Sequence, residues 1–341
     1  MKKRGRILAA ALTGALLLGS LAGCGGDTSG ASSGAADNAS SGTGSASSGT
    51  SGRGVSVGFV VKSLSDSFYV LMKAGAEAKA EEMGVELNFI APNSESDVQG
   101  QVDMIQNLIG QGIDALCVSP SSPDAVLPVL QQADAEGIPV LAVDNDTTFE
   151  NKVTFIGTGS QAAGKIGGEY AAQTVGEGGK AIILRGRLGD SNHDEREAGF
   201  REGLEAGGVE ILEVRACDSE SEKAMNAMQD LMNRYSDIDI VCTTADSMAQ
   251  GAQRAIEQAG VDIPVLGFDG TIPVAEMTAE GKFLGTVAQD PYNMGVVGVE
   301  MAVKAANGEE VEPRIDTGAT MVTQESAADF VANLKSLMGE S

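Results

Sequence analysis

Four groups of residues in this chain have the types and spacing to do chemistry. Gly159 to Ile166, "GSQAAGKI", carries the G-x-x-x-x-G-K spacing of a loop that wraps backbone N–H groups around phosphates. Such a loop needs Ser or Thr after its Lys, because that hydroxyl holds Mg²⁺; this chain has Ile166, an apolar residue expected to face a core. No Walker-B aspartate or water-positioning residue can be assigned downstream. The glycines are therefore expected to serve backbone geometry where a strand turns into a helix whose small residues pack on a sheet. Asp190 to Glu195, "DSNHDE", begins like a calcium loop, but Glu195 stands where Gly is required and Arg201 where a bidentate Glu is required. His193 is the single histidine. It excludes a multi-histidine metal site, no His-based triad is expected, and the residue reads as an exposed loop position. Asp144 and Asp146 in "VDND" are paired carboxylates that could do glycosidase acid/base work, yet strand-end carboxylates that accept hydrogen bonds explain them with fewer assumptions.

These residues need elements to position them. From Val55 onward, short β-branched runs such as "VSVGFVV", "ALCVS", "PVLAVD", "KAIILRG" and "PVLGFDG" alternate with amphipathic stretches such as "FYVLMKAGAEAKAEEMG". Runs that are apolar on both faces and separated by helices indicate parallel sheets covered on each side, a doubly wound α/β body. The ~285 residues past Gly54 exceed the ~250 at which one core usually stops growing, so two lobes are expected. At strand after strand the residue just beyond the carboxyl end is polar or charged: Lys62, Ser119, Asp144 with Asn145, Thr158, Arg187, Asp218, Asp246, Asp269 and Gln289. Ligands of open α/β sheets bind at those ends. One such Asp alone is as well explained as a helix cap. The set points to a shared cleft.

Ahead of this body, Lys2, Lys3, Arg4 and Arg6 precede an apolar run from Ile7 to Leu18. The run is shorter than the ~20 residues that span a bilayer, and it has the form of a secretory signal, expected over residues 1–23. Residues 25–54 are almost wholly Gly, Ser, Ala, Thr, Asn and Asp, too polar to repay ordering entropy, and read as a flexible tether. The formal net charge is −25, which argues against nucleic acid as a partner. Beyond Cys24 lie three cysteines, Cys117, Cys217 and Cys242. With two of them inside strand-like apolar runs, buried free thiols are expected in place of a disulfide framework.

Several motifs together carry a resemblance. "VGFVVKSLSDSFYVLMKAGAEAKAEEMGVEL", "GIDALCVSPSSPDAV", "GIPVLAVDND", "EREAGFREGL" and "VLGFDGT" resemble periplasmic sugar-binding proteins of the ribose-binding type, the solute receptors of sugar ABC importers, in one register from about Val55 to Thr323. "LAGC", Leu21 to Cys24, is similar to a lipobox, which implies a lipid on Cys24 and attachment at the outer face of a cell membrane. The resemblance implies two Rossmann-like lobes joined by three crossover strands, residues 55–158 plus 290–316 and 159–289 plus 317–341, closing on the ligand. It implies a monomer with a small sugar and an ABC permease as partners, and no catalysis, cofactor or metal. In its terms Asp66 belongs to the entry loop, Phe68 and Tyr69 stack on the sugar, and Asp144, Asp269 and Arg196 bond its hydroxyls. Gln289 and Thr158 sit at the hinge. Lys62, Ser119, Asn145 and Asp246 complete the expected site. Asp269 is expected to matter for ligand and little for the stability of the empty protein. There are departures from the pattern: Ser219 stands where relatives carry an aromatic, Ala245 where they carry Asn, Asn145 where they carry Arg, and Lys62 where they carry a small polar residue. A Lys in this loop is shared with binders of the furanosyl autoinducer, the alternative ligand; a sensory partner instead of a permease is the alternative role.

Overall fold

The computed structural model describes residues 54–65 and 67–339. The chain starts with β1 (Ser56–Val60), α1 (Ser67–Met83), β2 (Glu86–Ile90), α2 (Val98–Gln111), β3 (Ala115–Val118), α3 (Pro123–Ala135), β4 (Val140–Val143) and β5 (Thr154–Gly157). It continues through α4 (Ser160–Val175), β6 (Lys180–Arg185), α5 (Ser191–Ala206), β7 (Glu210–Ala216), α6 (Ser221–Arg234) and β8 (Ile240–Thr243). Then follow α7 (Asp246–Ala259), β9 (Val265–Asp269), α8 (Ile272–Ala279), β10 (Gly285–Gln289), α9 (Pro291–Ala306), β11 (Arg314–Asp316), β12 (Ala319–Thr323) and α10 (Gln324–Leu337).

Two six-stranded sheets result, in the orders β11-β5-β4-β3-β1-β2 and β12-β10-β9-β8-β6-β7. Every neighbouring pair is parallel except β10 with β12, which is antiparallel. The strands β1, β3, β4 and β8 are buried along their whole length, as their unbroken apolar runs require when helices cover both faces. On the first sheet α1 and α9 cover one face and α2 and α3 the other. On the second, α4 and α5 oppose α6 and α7. Because the two sheets repeat one order, β4 and β9 occupy equivalent places, and so do their strand-end residues Asp144 and Asp269.

The chain passes between the sheets three times, after Gly157, after Gln289 and after Asp316. The crossings are stitched together. Thr158 donates its hydroxyl to Gln289 Oε1 at 2.8 Å, while the N–H groups of Gly159 and Gly318 both donate to Asp316 Oδ1 at 2.8 Å.

Two expectations about "GSQAAGKI" need correction. Ile166 faces solvent, with 38% of its surface exposed. The core side of α4 is instead its glycine face, and that face meets mainly a helix: a Cβ at Gly164 or Gly168 would run into the backbone of α5 at Arg196 or Phe200. Only Gly167 looks toward the sheet, against Phe200 and Val287. The motif is a helix-packing surface that lets α5 approach closely enough to aim Arg196 at the cleft.

Candidate functional site

A cavity of about 360 Å³ lies where the carboxyl ends of the two sheets converge, within the size range of small-molecule sites. Its first-sheet wall is Lys62, Phe68, Tyr69, Asp144 and Asn145. Tyr69 donates its hydroxyl to Asp144 Oδ2 at 2.9 Å, and Ser119 donates to the same oxygen at 3.0 Å. Burial, then the neighbouring Asp144 charge, holds the Tyr69 phenol well above its ordinary range, so it remains a donor. Phe68 meets Tyr69 edge-on at 5.3 Å and offers an apolar ring beside the carboxylate. Lys62 has no hydrogen-bond or ion-pair partner among the described residues, so its ammonium is available to a guest.

The second-sheet wall centres on Asp269 and Arg196. Arg196 Nη1 donates to Asp269 Oδ1 at 3.1 Å and to the Thr244 carbonyl at 3.0 Å, and its guanidinium lies 4.1 Å above the Phe268 ring. Its Nε is buried with no partner among the described residues. Gln289 Nε2 also donates to Asp269 Oδ1, at 2.9 Å, tying this acceptor to the crossing. Four non-glycine residues among those described have positive φ: Asp144 (66°), Asp218 (52°), Ser219 (60°) and Asp269 (123°). Three of them line the cavity. Such conformations cost about 1–3 kcal/mol each and gather at binding sites, where the fold forces them.

Of the residues expected at the site, Lys62, Phe68, Tyr69, Asp144, Asn145, Arg196, Asp269 and Gln289 line the cavity. Three stand behind its wall. Ser119 and Thr158 hold Asp144 and Gln289 respectively. Asp246 is 1% exposed and accepts from the N–H and hydroxyl of Thr271 and from the Thr286 hydroxyl, so it fixes the loop after β9 and does not face a guest. Burial and the nearby Asp269 charge push its carboxyl upward. Asp66 falls outside the described residues.

The start of α5 supplies what the strand-end rule missed. Asp190 caps the helix, accepting from the N–H groups of Asn192 and His193. That capped start points Asn192 and His193 of the first turn, and Arg196 of the second, at the cavity. Asn192 reaches across the cleft, donating to the Asp144 carbonyl at 3.3 Å and to Asn145 Oδ1 at 3.2 Å. His193 is no exposed loop residue. Its Nδ1 lies 2.8 Å from Thr244 Oγ1 and its Nε2 2.9 Å from Ser219 Oγ. Burial, with Arg196 next, pushes the imidazole down to about 4; Arg185 and Lys62 act the same way and Asp190 opposes them.

That shift has a testable sign. As pH falls below about 6.5 the unfolded chain takes up the histidine proton before the folded one does, so stability is lost progressively toward pH 4. Asp246, shifted upward, acts in the opposite sense in the same window. The comparison is therefore between two proteins: His193→Gln should show a shallower fall of melting temperature from pH 6.5 to 5 than the wild type, and parallel curves would refute a neutral, half-buried imidazole.

A profile of the periplasmic binding protein domain matches residues 57–310, most of the folded body. The chain belongs to that family. The ribose import binding protein RbsB of Escherichia coli K12 is 33% identical over 271 residues, covering 79% of this chain and 91% of that protein. A solved solute-binding protein of an ABC transporter from Mycobacterium smegmatis, with bound glycerol, is 31% identical with a TM-score of 0.72, covering 82% of this chain and 97% of that one. One from Actinobacillus succinogenes, with bound D-allose, is 25% identical with a TM-score of 0.74, covering 81% and 99%. The family resemblance read in the sequence and the two-lobed α/β fold are thus borne out, and the relatives are solute-binding transport proteins, not enzymes. Among the described residues, no helix is long and apolar enough to cross a membrane.

Proposed function

We propose that this protein captures a neutral monosaccharide or small polyol between its two sheets and hands it to the permease of an ABC importer, tethered by a lipid on Cys24 to the outer face of the cell membrane. One observation supports this most strongly: equivalent strand-end carboxylates, Asp144 and Asp269, face one cavity from opposite sheets, with a guanidinium and an aromatic ring beside them. A sugar presents hydroxyls that donate to carboxylates and C–H faces that rest on rings, and few other solutes need both. Acceptors from both sides favour the closed arrangement, so binding shifts the population toward the form a permease would read. The ligands named for the relatives, ribose, allose and glycerol, belong to this class.

A thermal-shift screen of the mature protein against D-ribose, D-allose, xylitol, glycerol, myo-inositol, amino acids and the furanosyl autoinducer tests the reading. A true ligand at a hundred times its Kd adds about 2.7 kcal/mol, or about 4 °C for a body of this size. Shifts produced by amino acids alone would refute it. The anchor has its own test: Cys24→Ser should move the protein almost entirely from the membrane pellet to the soluble fraction, and persistent sedimentation with membranes would contradict the lipid.

A further inference from the structure

The contacts of His193 decide what Ser219 offers to a guest. Thr244 is fully buried, and its Oγ1 accepts from the Gly186 N–H at 3.1 Å. An amide N–H can only donate, so the single hydroxyl proton of Thr244 needs an acceptor elsewhere. Among the described residues the only one in reach is His193 Nδ1, at 2.8 Å. Leaving that proton unplaced would incur the penalty of a buried unsatisfied donor. A neutral imidazole with Nδ1 accepting carries its proton on Nε2, which faces Ser219 Oγ at 2.9 Å.

We propose that Gly186 N–H, the Thr244 hydroxyl, the His193 ring and the Ser219 hydroxyl form a one-way relay of hydrogen bonds whose last proton, on Ser219 Oγ, points into the cavity, making Ser219 a donor and His193 a specificity-determining positioning residue. The opposite tautomer would turn Ser219 into an acceptor. At this end the site therefore asks the guest for an accepting oxygen, such as a ring ether, a carbonyl, or a hydroxyl whose proton is already held by a carboxylate. The carboxylate pair Asp144 and Asp269 takes the donated protons; Ser219 returns one. The same direction of donation means that His193 presents no lone pair to Ser219, so this Ser–His contact is no nucleophile–base pair.

Positioning matters because Ser219 sits at φ 60°, held by Ser247, whose hydroxyl donates to the Ser219 carbonyl at 2.8 Å. The backbone is fixed, the imidazole fixes the hydroxyl, and a donor is already oriented before a ligand arrives.

The relay itself does not depend on which solute is captured; the guest chemistry rests on the sugar-capture reading. Because the chain has one histidine, ¹⁵N-histidine labelling of the mature protein without a polyhistidine tag gives a single imidazole to read. At pH 7 the proton should be on Nε2, and Thr244→Val should shift it toward Nδ1. A wild-type proton on Nδ1, or equal exchange between the two nitrogens, overturns the relay. In a second arm, calorimetric titration uses whichever of D-ribose, D-allose and glycerol binds the wild type. Ser219→Ala and His193→Leu should each weaken binding about three- to tenfold, and the double variant no further. Additive losses overturn the relay. Should none of the three probes bind the wild type, the capture reading fails for them while the tautomer measurement still decides the relay.

Discussion

Asp269→Ala is expected to weaken sugar binding by at least about a hundredfold and, at the same time, to lower the stability of the empty protein by about 2–3 kcal/mol. The first effect follows from losing a charged acceptor that faces the cavity. The second follows from Arg196, 5% exposed, which would keep its charge without its carboxylate partner. The full cost of breaking a buried pair is about 3–5 kcal/mol; Asp269, with its side chain 21% exposed, is partly solvated, so the lower figure applies. Asp269 is thus both ligand acceptor and structural partner. This departs from the expectation that its removal would leave the empty protein nearly untouched. Asp269→Asn, which can still accept from Arg196 and Gln289, should recover most of the stability and little of the affinity. Calorimetric titration and urea unfolding measure the two quantities separately, and an Asp269→Ala protein with wild-type affinity would contradict the site.

Gly164→Val should be the most damaging single change in the "GSQAAGKI" segment, costing about 3 kcal/mol or more. Its added carbons have nowhere to go but the Arg196 carbonyl on α5, and overpacking against backbone cannot be relieved by a rotamer change. The displaced α5 carries Asn192, His193 and Arg196 with it, so affinity should fall along with the melting temperature. Lys165→Ala, by contrast, removes only a surface pair with Glu202 and should change stability by less than about 1 kcal/mol. A phosphate-binding loop would show the reverse order in binding. Urea unfolding of both variants beside sugar titration decides; a Lys165→Ala protein that loses binding while Gly164→Val retains it would contradict the packing account.

The architecture was legible where burial leaves a mark on sequence. Continuous apolar runs announced the covered central strands, because a parallel strand between two helical layers has no solvent face. The edge strands β11 and β12 are half exposed and carry no such run, so nothing announced them or the antiparallel pairing of β12. The strand-end rule found Lys62, Asp144, Asn145, Asp269 and Gln289 because each closes its strand or lies within two residues of its end. It also drew in Ser119, Thr158 and Asp246, since a polar residue at a strand end can turn sideways to hold its neighbour as readily as forward to hold a guest, and Arg187 and Asp218, which do not line the cavity. It missed Asn192 and His193 because β6 and α5 are joined by five residues, and the first turn of the helix takes the place of the strand end. Asp190 was the available signal: an Asp followed by polar residues and then an apolar-periodic stretch marks a capped helix start. Read as a broken calcium loop, it concealed the cleft-facing turn.

The central claim is that acceptors from two sheets converge on one polyhydroxylated guest. The crystal structure of the protein with the ligand that stabilises it most tests this directly. The account predicts oxygens of one bound molecule within hydrogen-bond distance of both Asp144 and Asp269, with a ligand oxygen accepting from Ser219. A ligand held by one sheet alone, or bound outside this cavity, would contradict it.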